Sequence, residues 1–269
     1  MIRGSTELVA IVGSPIAQVK SPENFNAWFG QQNQDRAMIA IDLAPDALEE
    51  FIATLRGWRN LRGCVVTVPY KQQLAEWLEH LSPRAAALHS VNVIRREADG
   101  SLSGDNVDGE GFIKAAARQG FVPGGRTALV IGSGGVGSAI AYSMAEAGIA
   151  QLTVVDASRQ RADSLAGILR DDFPGLSIST HYETLAGFDL VVNASPVGMG
   201  DSEELPLPPA QLDTLSPATL VADVVTRPEI TPLLAAARRR GCRIQTGAEM
   251  AIAQLGNLGA YLGVTPLDI

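Results

Sequence analysis

The sequence predicts a two-domain α/β protein built on parallel-type sheets, with a dinucleotide-binding unit in its second half. Three observations predict it. Short apolar runs alternate with helical patterns along most of the chain. A glycine-rich turn, Gly132-Ser133-Gly134-Gly135-Val136-Gly137, joins one apolar run to a helical pattern. The next apolar run, residues 152–155, ends on an acid, Asp156. The 269 residues are enough for two modest domains, each with its own core.

The elements follow in order. Residues 8–12 form a short apolar strand ending in Gly13, and Ser14-Pro15 begins a loop. Ser21-Pro22 opens a helix, with serine expected at the N-cap and proline at the first helical position. Phe25, Trp28 and Phe29 recur at helical spacing and point to the core. Residues 38–43 form a second strand. Pro45 opens a helix through residue 56, with Leu48, Phe51, Ile52 and Leu55 on one face. Residues 62–68 form a third strand stopped by Pro69, and the near-continuous apolar run predicts burial on both faces in a parallel sheet. A helix is expected over 70–81, and Ser82-Pro83 caps another. Asp99-Gly100 marks a hairpin between 91–96 and 102–103.

The polar, glycine-bounded segment 104–109 leads into a helix through Gly120, and Pro123-Gly124-Gly125 turns the chain. Beyond the glycine loop come a helix over 139–147 closed by Gly148 and strands at 189–193, 220–224 and 243–245. A helix over about 230–240 precedes the last strand, and a long helix over about 248–262 ends the pattern. There is no internal repeat and no low-complexity segment.

Each part of the glycine turn has a physical task. Gly132 makes the tight turn after the strand, Gly134 lets the backbone approach a pyrophosphate, and Gly137 allows the helix to pack on the strand. The helix N-terminus offers unpaired N–H groups and partial positive charge to phosphates. A carboxylate at Asp156 can accept bonds from ribose hydroxyls and repels a 2′-phosphate, which favours NAD over NADP. Arg159 and Arg161 follow closely, and either could reach a 2′-phosphate, so NADP stays open. A solvated helix face is the preferred reading of both.

Composition excludes other classes. A net charge of −8 argues against a nucleic-acid partner held through phosphates. No apolar run reaches the length of a membrane span, and Met1 to Glu7 has no signal-peptide core, so a cytoplasmic protein is expected. Cys64 and Cys242 read as buried free thiols, and His80, His89 and His181 show no metal-ligand spacing, so no metal is expected. Hydride transfer from an alcohol also requires a general acid/base at the reacting oxygen. Lys71 directly follows the third strand and Pro69, and Asp108 sits in the polar loop. Position alone does not separate either from an ordinary surface charge.

Several segments, in order along nearly the whole chain, resemble the shikimate dehydrogenases and their quinate-using relatives. Gly13-Ser14-Pro15-Ile16 with Ser21-Pro22 resembles the family's N-terminal substrate loop. Gly63 with Val66-Thr67-Val68-Pro69-Tyr70-Lys71 resembles its catalytic lysine segment. Ser90-Val91-Asn92 and Gly104-Asp105-Asn106-Val107-Asp108-Gly109 resemble two further substrate segments. Asn193-Ala194-Ser195-Pro196-Val197-Gly198-Met199 is similar to the loop near the nicotinamide, and Gly247 with Met250-Ala251-Ile252-Ala253-Gln254 to the C-terminal substrate helix.

The resemblance implies a reversible, NAD(P)-dependent oxidation of a ring hydroxyl, shikimate to 3-dehydroshikimate or a related quinate-like polyol acid, and a place in aromatic amino acid biosynthesis. It implies Lys71 as acid/base, with Asp108 orienting it and bonding a neighbouring hydroxyl. Ser21, Thr67, Asn92 and Gln254 become substrate contacts. Asn193, Ala194, Ser195, Pro196, Met199 and Met250 join Gly132 to Gly137, Asp156, Ala157 and Arg161 at the cofactor. The family includes monomers and homodimers. The implied substrate domain is 1–106 with 245–269, the implied dinucleotide domain 107–244, and the implied active site the cleft between them.

The chain also departs from the family pattern. Val19 stands where a second serine usually grips the substrate carboxylate, and Thr226 where a tyrosine helps. Val65 and Val107 replace an asparagine and a threonine. Each lost hydrogen bond to a charged group is worth about 1.5–3 kcal/mol, so a changed substrate or poor use of shikimate is expected. The alternatives are a dehydrogenase for a polyol without the carboxylate and a ligand-sensing relative without turnover.

Overall fold

The computed structural model describes residues 2–269, and its contacts divide the chain into two compact units. The first runs through Val107 and takes back Leu255–Ile269; the second is Asp108–Gln254. The first contains β1 (Glu7–Gly13), α1 (Ser21–Gln31), β2 (Arg36–Asp42), α2 (Leu48–Gly57), β3 (Leu61–Val66), α3 (Lys71–Ala75), β4 (His80–Leu81), α4 (Pro83–Leu88), β5 (Val93–Arg96) and β6 (Leu102–Asp105). The second contains α5 (Asp108–Arg118), β7 (Thr127–Ile131), α6 (Gly135–Glu146), β8 (Gln151–Val155), α7 (Arg159–Asp172), β9 (Ser177–Ser179), β10 (Leu190–Asn193), β11 (Leu220–Asp223), α8 (Pro232–Arg239) and β12 (Arg243–Gln245). Helix α9 (Gly247–Tyr261) begins in the second unit and ends in the first.

The sheet of the first unit has the order β2-β1-β3-β5-β6-β4. Strand β1 pairs in parallel with β2 and β3, and β5 runs antiparallel to both its neighbours. The sheet is therefore mixed, not purely parallel. The hairpin at Asp99-Gly100 reverses the chain between β5 and β6, which a parallel crossover cannot do. Both faces are buried. Ala10 and Val12 of β1 and Cys64 and Val66 of β3 pack with Phe51, Ile52 and Leu55 of α2 and Leu74 of α3. Val9, Ile11 and Val65 face the other way, onto Phe25 and Phe29 of α1 and Leu258 and Leu262 near the chain end. This two-sided burial explains the apolar run of β3.

Two local expectations are corrected, and one strand is added. Ser21 is the first residue of α1, Lys20 precedes it as the cap, and no side chain caps the end. The helix expected over 70–81 closes at Ala75, and β4 forms at His80–Leu81, because His80 and Leu81 pair with Ser103 and Gly104 of β6. The short strand β9 was not legible in its polar sequence and is held by pairing with β8. At Ser82 the sequence reading holds: its hydroxyl accepts the Ala85 N–H at 3.2 Å.

The second unit has a wholly parallel sheet, ordered β12-β11-β10-β7-β8-β9. Strand order reverses between β7 and β10, which opens a crevice at their carboxyl ends. Leu129, Ile131, Val191 and Val221 pack on Leu233, Leu234, Ala236 and Ala237 of α8. Helix α9 starts with a capping box: Thr246 N–H donates to Glu249 Oε2 at 2.8 Å, and Glu249 N–H to Thr246 Oγ1 at 3.2 Å. The chain returns to the first unit at Leu255, not at Gln245, because Gln245 belongs to β12 and Gln254 contacts α5.

Candidate active site

In the second unit, the sequence after β7 turns sharply at Gly132, whose φ is +108°. Its N–H donates to Val155 O at 2.7 Å, tying the turn to β8. A Cβ on Gly137 would lie 1.9 Å from Gly132 O, so this contact of helix and turn admits only glycine. A Cβ on Gly134 would meet nothing within 4 Å. Gly134 thus presents bare backbone to open space at the N-terminus of α6. The adjacent Ser133 hydroxyl is buried and finds no partner among the described residues.

This turn forms one wall of a cleft of about 630 Å³. The other walls are Val155, Asp156, Ala157 and Arg161 after β8, Ala194 to Val197 after β10, and Pro206. Bare backbone, a helix N-terminus and an unpartnered buried hydroxyl together fit a pyrophosphate, and the elongated set of strand ends fits a dinucleotide. Of the expected cofactor residues, Gly132, Gly134, Asp156, Ala157, Arg161, Ala194, Ser195 and Pro196 line the cleft. Met199 is exposed in the loop beyond it, and Met250 is buried on α9. Asn193 is wholly buried and acts as loop scaffold, not as a cleft surface. Ile131, Val155 and Pro206 also line the cleft, apolar residues that carry no motif of their own, as does Val197 within the segment from Asn193 to Met199.

Asp156 accepts the Ser133 N–H at 2.7 Å, the Ser158 N–H at 2.8 Å and the Arg161 guanidinium at 2.8 Å. Burial raises its carboxyl, but these donors outweigh burial and hold it below the usual carboxylate value. Arg161 was expected on a solvated helix face. It is exposed, as expected, and also pairs with Asp156 at the cleft, while Arg159 faces solvent and pairs with Asp163.

Asp108 is the first residue of α5 and is buried. Its carboxylate accepts a hydrogen bond from Gln254 Nε2. The backbone beneath is close-packed: a Cβ on Gly109 would strike Ala139 O of α6, and one on Gly111 would strike Gln254. Two residues far apart in sequence are thus brought together. Thr226 is exposed in the loop after β11.

In the first unit, Thr67, Lys71 and Asn92 gather at one sheet end. Thr67 N–H donates to Val12 O at 3.0 Å, Val66 N–H to Asn92 O at 2.7 Å, and Val91 N–H to Lys71 O at 2.9 Å. Lys71 opens α3 at the carboxyl end of β3 and is half-buried. Asn92 is buried, and its Oδ1 accepts the Val107 N–H at 2.9 Å, which turns its NH₂ group away from that backbone. Ser21 and Val19 lie in and before α1, both half-buried. Val65 and Val107 are sealed in the apolar cluster around Phe25 and Phe29, so packing alone accounts for them. Val19, half-buried, packs against the same cluster from its edge, and Thr226 alone of the four departures is exposed.

Asp105 anchors this sheet end. It accepts Arg84 Nε and Nη2, each at 2.8 Å, together with the Ser82 hydroxyl and the Asn106 N–H. Its own carbonyl accepts the Asn92 N–H. Burial raises the Asp105 carboxyl, yet Arg84 and Ser82 bring it below its ordinary 3.8. The unfolded chain therefore binds a proton more readily than the folded one. The stabilisation is present above the ordinary carboxylate value and is lost as pH falls through the lower folded value. Asp105→Asn should lower stability at pH 7 by about 3 kcal/mol, since Arg84 is left facing a neutral amide. Urea unfolding at pH 7, with melting temperatures from pH 7 to 3, checks this. The variant should lose less on acidification than the wild type.

Among the described residues no cluster of His, Cys, Asp and Glu is arranged to hold a metal, and no helix is long and apolar enough to cross a membrane. Cys64 and Cys242 are free and buried, and burial pushes the Cys64 thiol up to about 12.

The chain is similar to known proteins in sequence and in fold. A family model described as the shikimate dehydrogenase substrate binding domain matches residues 11–94. A shikimate dehydrogenase (NADP(+)) of Moorella thermoacetica is 37% identical over 262 residues, covering 94% of this chain and 86% of its own. Shikimate 5-dehydrogenase of Listeria monocytogenes, solved with shikimate and NAD, superposes with a TM-score of 0.91 at 26% identity, over 99% of this chain and 95% of its own. Quinate dehydrogenase of Corynebacterium glutamicum, solved with NAD, gives 0.85 at 26% identity, over 96% and 93%.

Proposed function

This chain belongs to the shikimate dehydrogenase family, and from that premise we propose that it interconverts a ring alcohol and ketone of a shikimate- or quinate-like polyol acid. It is an NAD(P)-dependent oxidoreductase acting on a CH–OH group. The observation that carries the site assignment is the gathering of Thr67, Lys71 and Asn92 at one sheet end by backbone hydrogen bonds.

The nicotinamide supplies the hydride acceptor or donor when bound. Lys71 takes the hydroxyl proton as the ring carbon is oxidised and returns a proton to the carbonyl oxygen in the reverse direction. Asp108, fixed by Gln254, accepts from a neighbouring hydroxyl. Asn92, whose Oδ1 accepts the Val107 N–H, and the hydroxyls of Ser21 and Thr67 are assigned to the ring hydroxyls. Gly134 and Ser133 meet the pyrophosphate. Asp156 accepts from the adenosine ribose, which favours NAD, and its clamp on Arg161 keeps that guanidinium from serving a 2′-phosphate.

The finer reading is a polyol acid related to shikimate, or shikimate itself used poorly. Val19 offers no hydroxyl to a carboxylate, and the short Thr226 side chain is exposed to solvent. Steady-state kinetics on shikimate, quinate and neutral cyclic polyols, each with NAD and NADP, test both points. The expected result is kcat/KM at least about tenfold higher with NAD than with NADP, and higher on another polyol than on shikimate. Val19→Ser with Thr226→Tyr should raise shikimate use by about tenfold or more. Efficient shikimate turnover by the wild type would overturn the shifted substrate, and equal use of NADP would overturn the cofactor preference.

A further inference from the structure

A second acid is placed like Asp156: Asp223, the last residue of an apolar strand, β11. It is 1% exposed and has no part in the chemistry described so far. Its carboxylate accepts the Val225 N–H at 3.0 Å, the Thr231 hydroxyl at 2.7 Å and Asn193 Nδ2 at 3.1 Å. All three contacts are donors, and an ionised carboxylate is an acceptor only.

Asn193 carries this anchorage across to the cleft. Its Nδ2 also donates to Val197 O at 3.0 Å, while its Oδ1 accepts the Ser195 N–H at 3.1 Å and the Ser195 hydroxyl at 2.6 Å. The Ser195 Oγ in turn accepts the Val197 N–H at 3.3 Å. Only an amide can donate toward Asp223 and Val197 while accepting from Ser195. The loop so gripped, Ala194 to Val197, is the wall of the cleft opposite Asp156. At its far side Gly198, with φ +85°, lies against Thr231 and Pro232 at the start of α8. The same carboxylate therefore joins the loop after β10, the loop after β11 and the cap of α8.

We propose that Asp223 and Asn193 are positioning residues for the reaction: the buried carboxylate–amide pair sets the cleft wall from Ala194 to Val197 in the geometry that receives the dinucleotide. This rests on the reading of that cleft as the NAD(P) site. Neither side chain lines the cleft. Their contribution is to hold the wall before binding, so that affinity is not spent on ordering it. The energy of the pair is carried by a charge-assisted hydrogen bond out of water, where loss of complementarity is felt strongly.

The test is a fluorescence titration with NADH and with NADPH on folded protein, alongside kcat, KM and melting temperature. Asn193→Asp sets two carboxylates against each other and should raise the NADH Kd by about tenfold or more. Asp223→Asn, which keeps shape and removes charge, should raise it by about threefold. The reversed pair, Asn193→Asp with Asp223→Asn, restores one amide facing one carboxylate and should bind NADH more tightly than Asn193→Asp alone. A role in stability alone would lower the melting temperature and leave Kd unchanged, and that result overturns the proposal. So does a reversed pair no better than Asn193→Asp. If Asn193→Asp fails to fold, a Kd for Asp223→Asn equal to wild type overturns it just as well. Wild type that binds neither NADH nor NADPH would overturn the reading of the cleft itself, a result distinct from wild-type binding with unaffected variants.

Discussion

Lys71→Ala is expected to lower kcat by about 10²–10⁴-fold while leaving the NADH Kd within about twofold of wild type. The side chain is assigned the proton of the reacting hydroxyl, and that transfer has no meaning until hydride moves. Loss of it should therefore appear in turnover and not in cofactor affinity. Lys71 opens α3 at the carboxyl end of β3, half-buried, with its carbonyl held by the Val91 N–H. Removing the side chain leaves that backbone bond in place, so the fold should persist. Circular dichroism and NADH titration check persistence, and stopped-time assays on the best polyol check kcat. A loss smaller than tenfold would remove Lys71 from the acid/base role. NADH binding with no turnover of any polyol by the wild type would favour a ligand-sensing relative instead.

One substitution at two glycines should separate folding from binding. Gly137→Ala places a methyl 1.9 Å from Gly132 O and 3.2 Å from Ala194 Cβ. The turn or the helix must move, at a cost of about 1–3 kcal/mol, and NADH binding should be lost with it. Gly134→Ala meets nothing within 4 Å and sits at φ −74°, which any residue adopts. Its stability should stay within about 0.5 kcal/mol of wild type. Its NADH affinity should still fall by about tenfold or more, because the methyl occupies the approach of the pyrophosphate. Melting temperature and NADH titration on both variants give the comparison. Wild-type affinity in Gly134→Ala would mean that the phosphates lie elsewhere.

Much of the second unit was legible because its rules are local. An apolar run, a glycine turn and a capped helix are read from adjacent residues, and their geometry follows from φ, Cβ and unpaired N–H groups. The parallel sheet, the turn at Gly132 and the position of Asp156 followed from that. The first unit was less legible where pairing decided the outcome. Residues 76–81 have a helical look, yet His80 and Leu81 pair with β6, and β3 takes one parallel and one antiparallel neighbour. Arg161 is solvent-exposed as its helical position suggests, but its pairing with Asp156 is a tertiary fact.

By itself the sequence determined the fold class, the dinucleotide motif, the resemblance to the family and the polar residues that a dehydrogenase of this kind requires. Tertiary structure alone decided which of those residues have partners. Gln254 joined Asp108, Asn92 committed its oxygen to Val107, and Val65 and Val107 proved to be core. It also disclosed Asp223, whose role depends on donors from three separate segments. The physical reason is range. Periodicity, caps and glycine turns are properties of neighbouring residues, whereas burial and the satisfaction of a buried charge depend on groups that only folding brings within 3 Å.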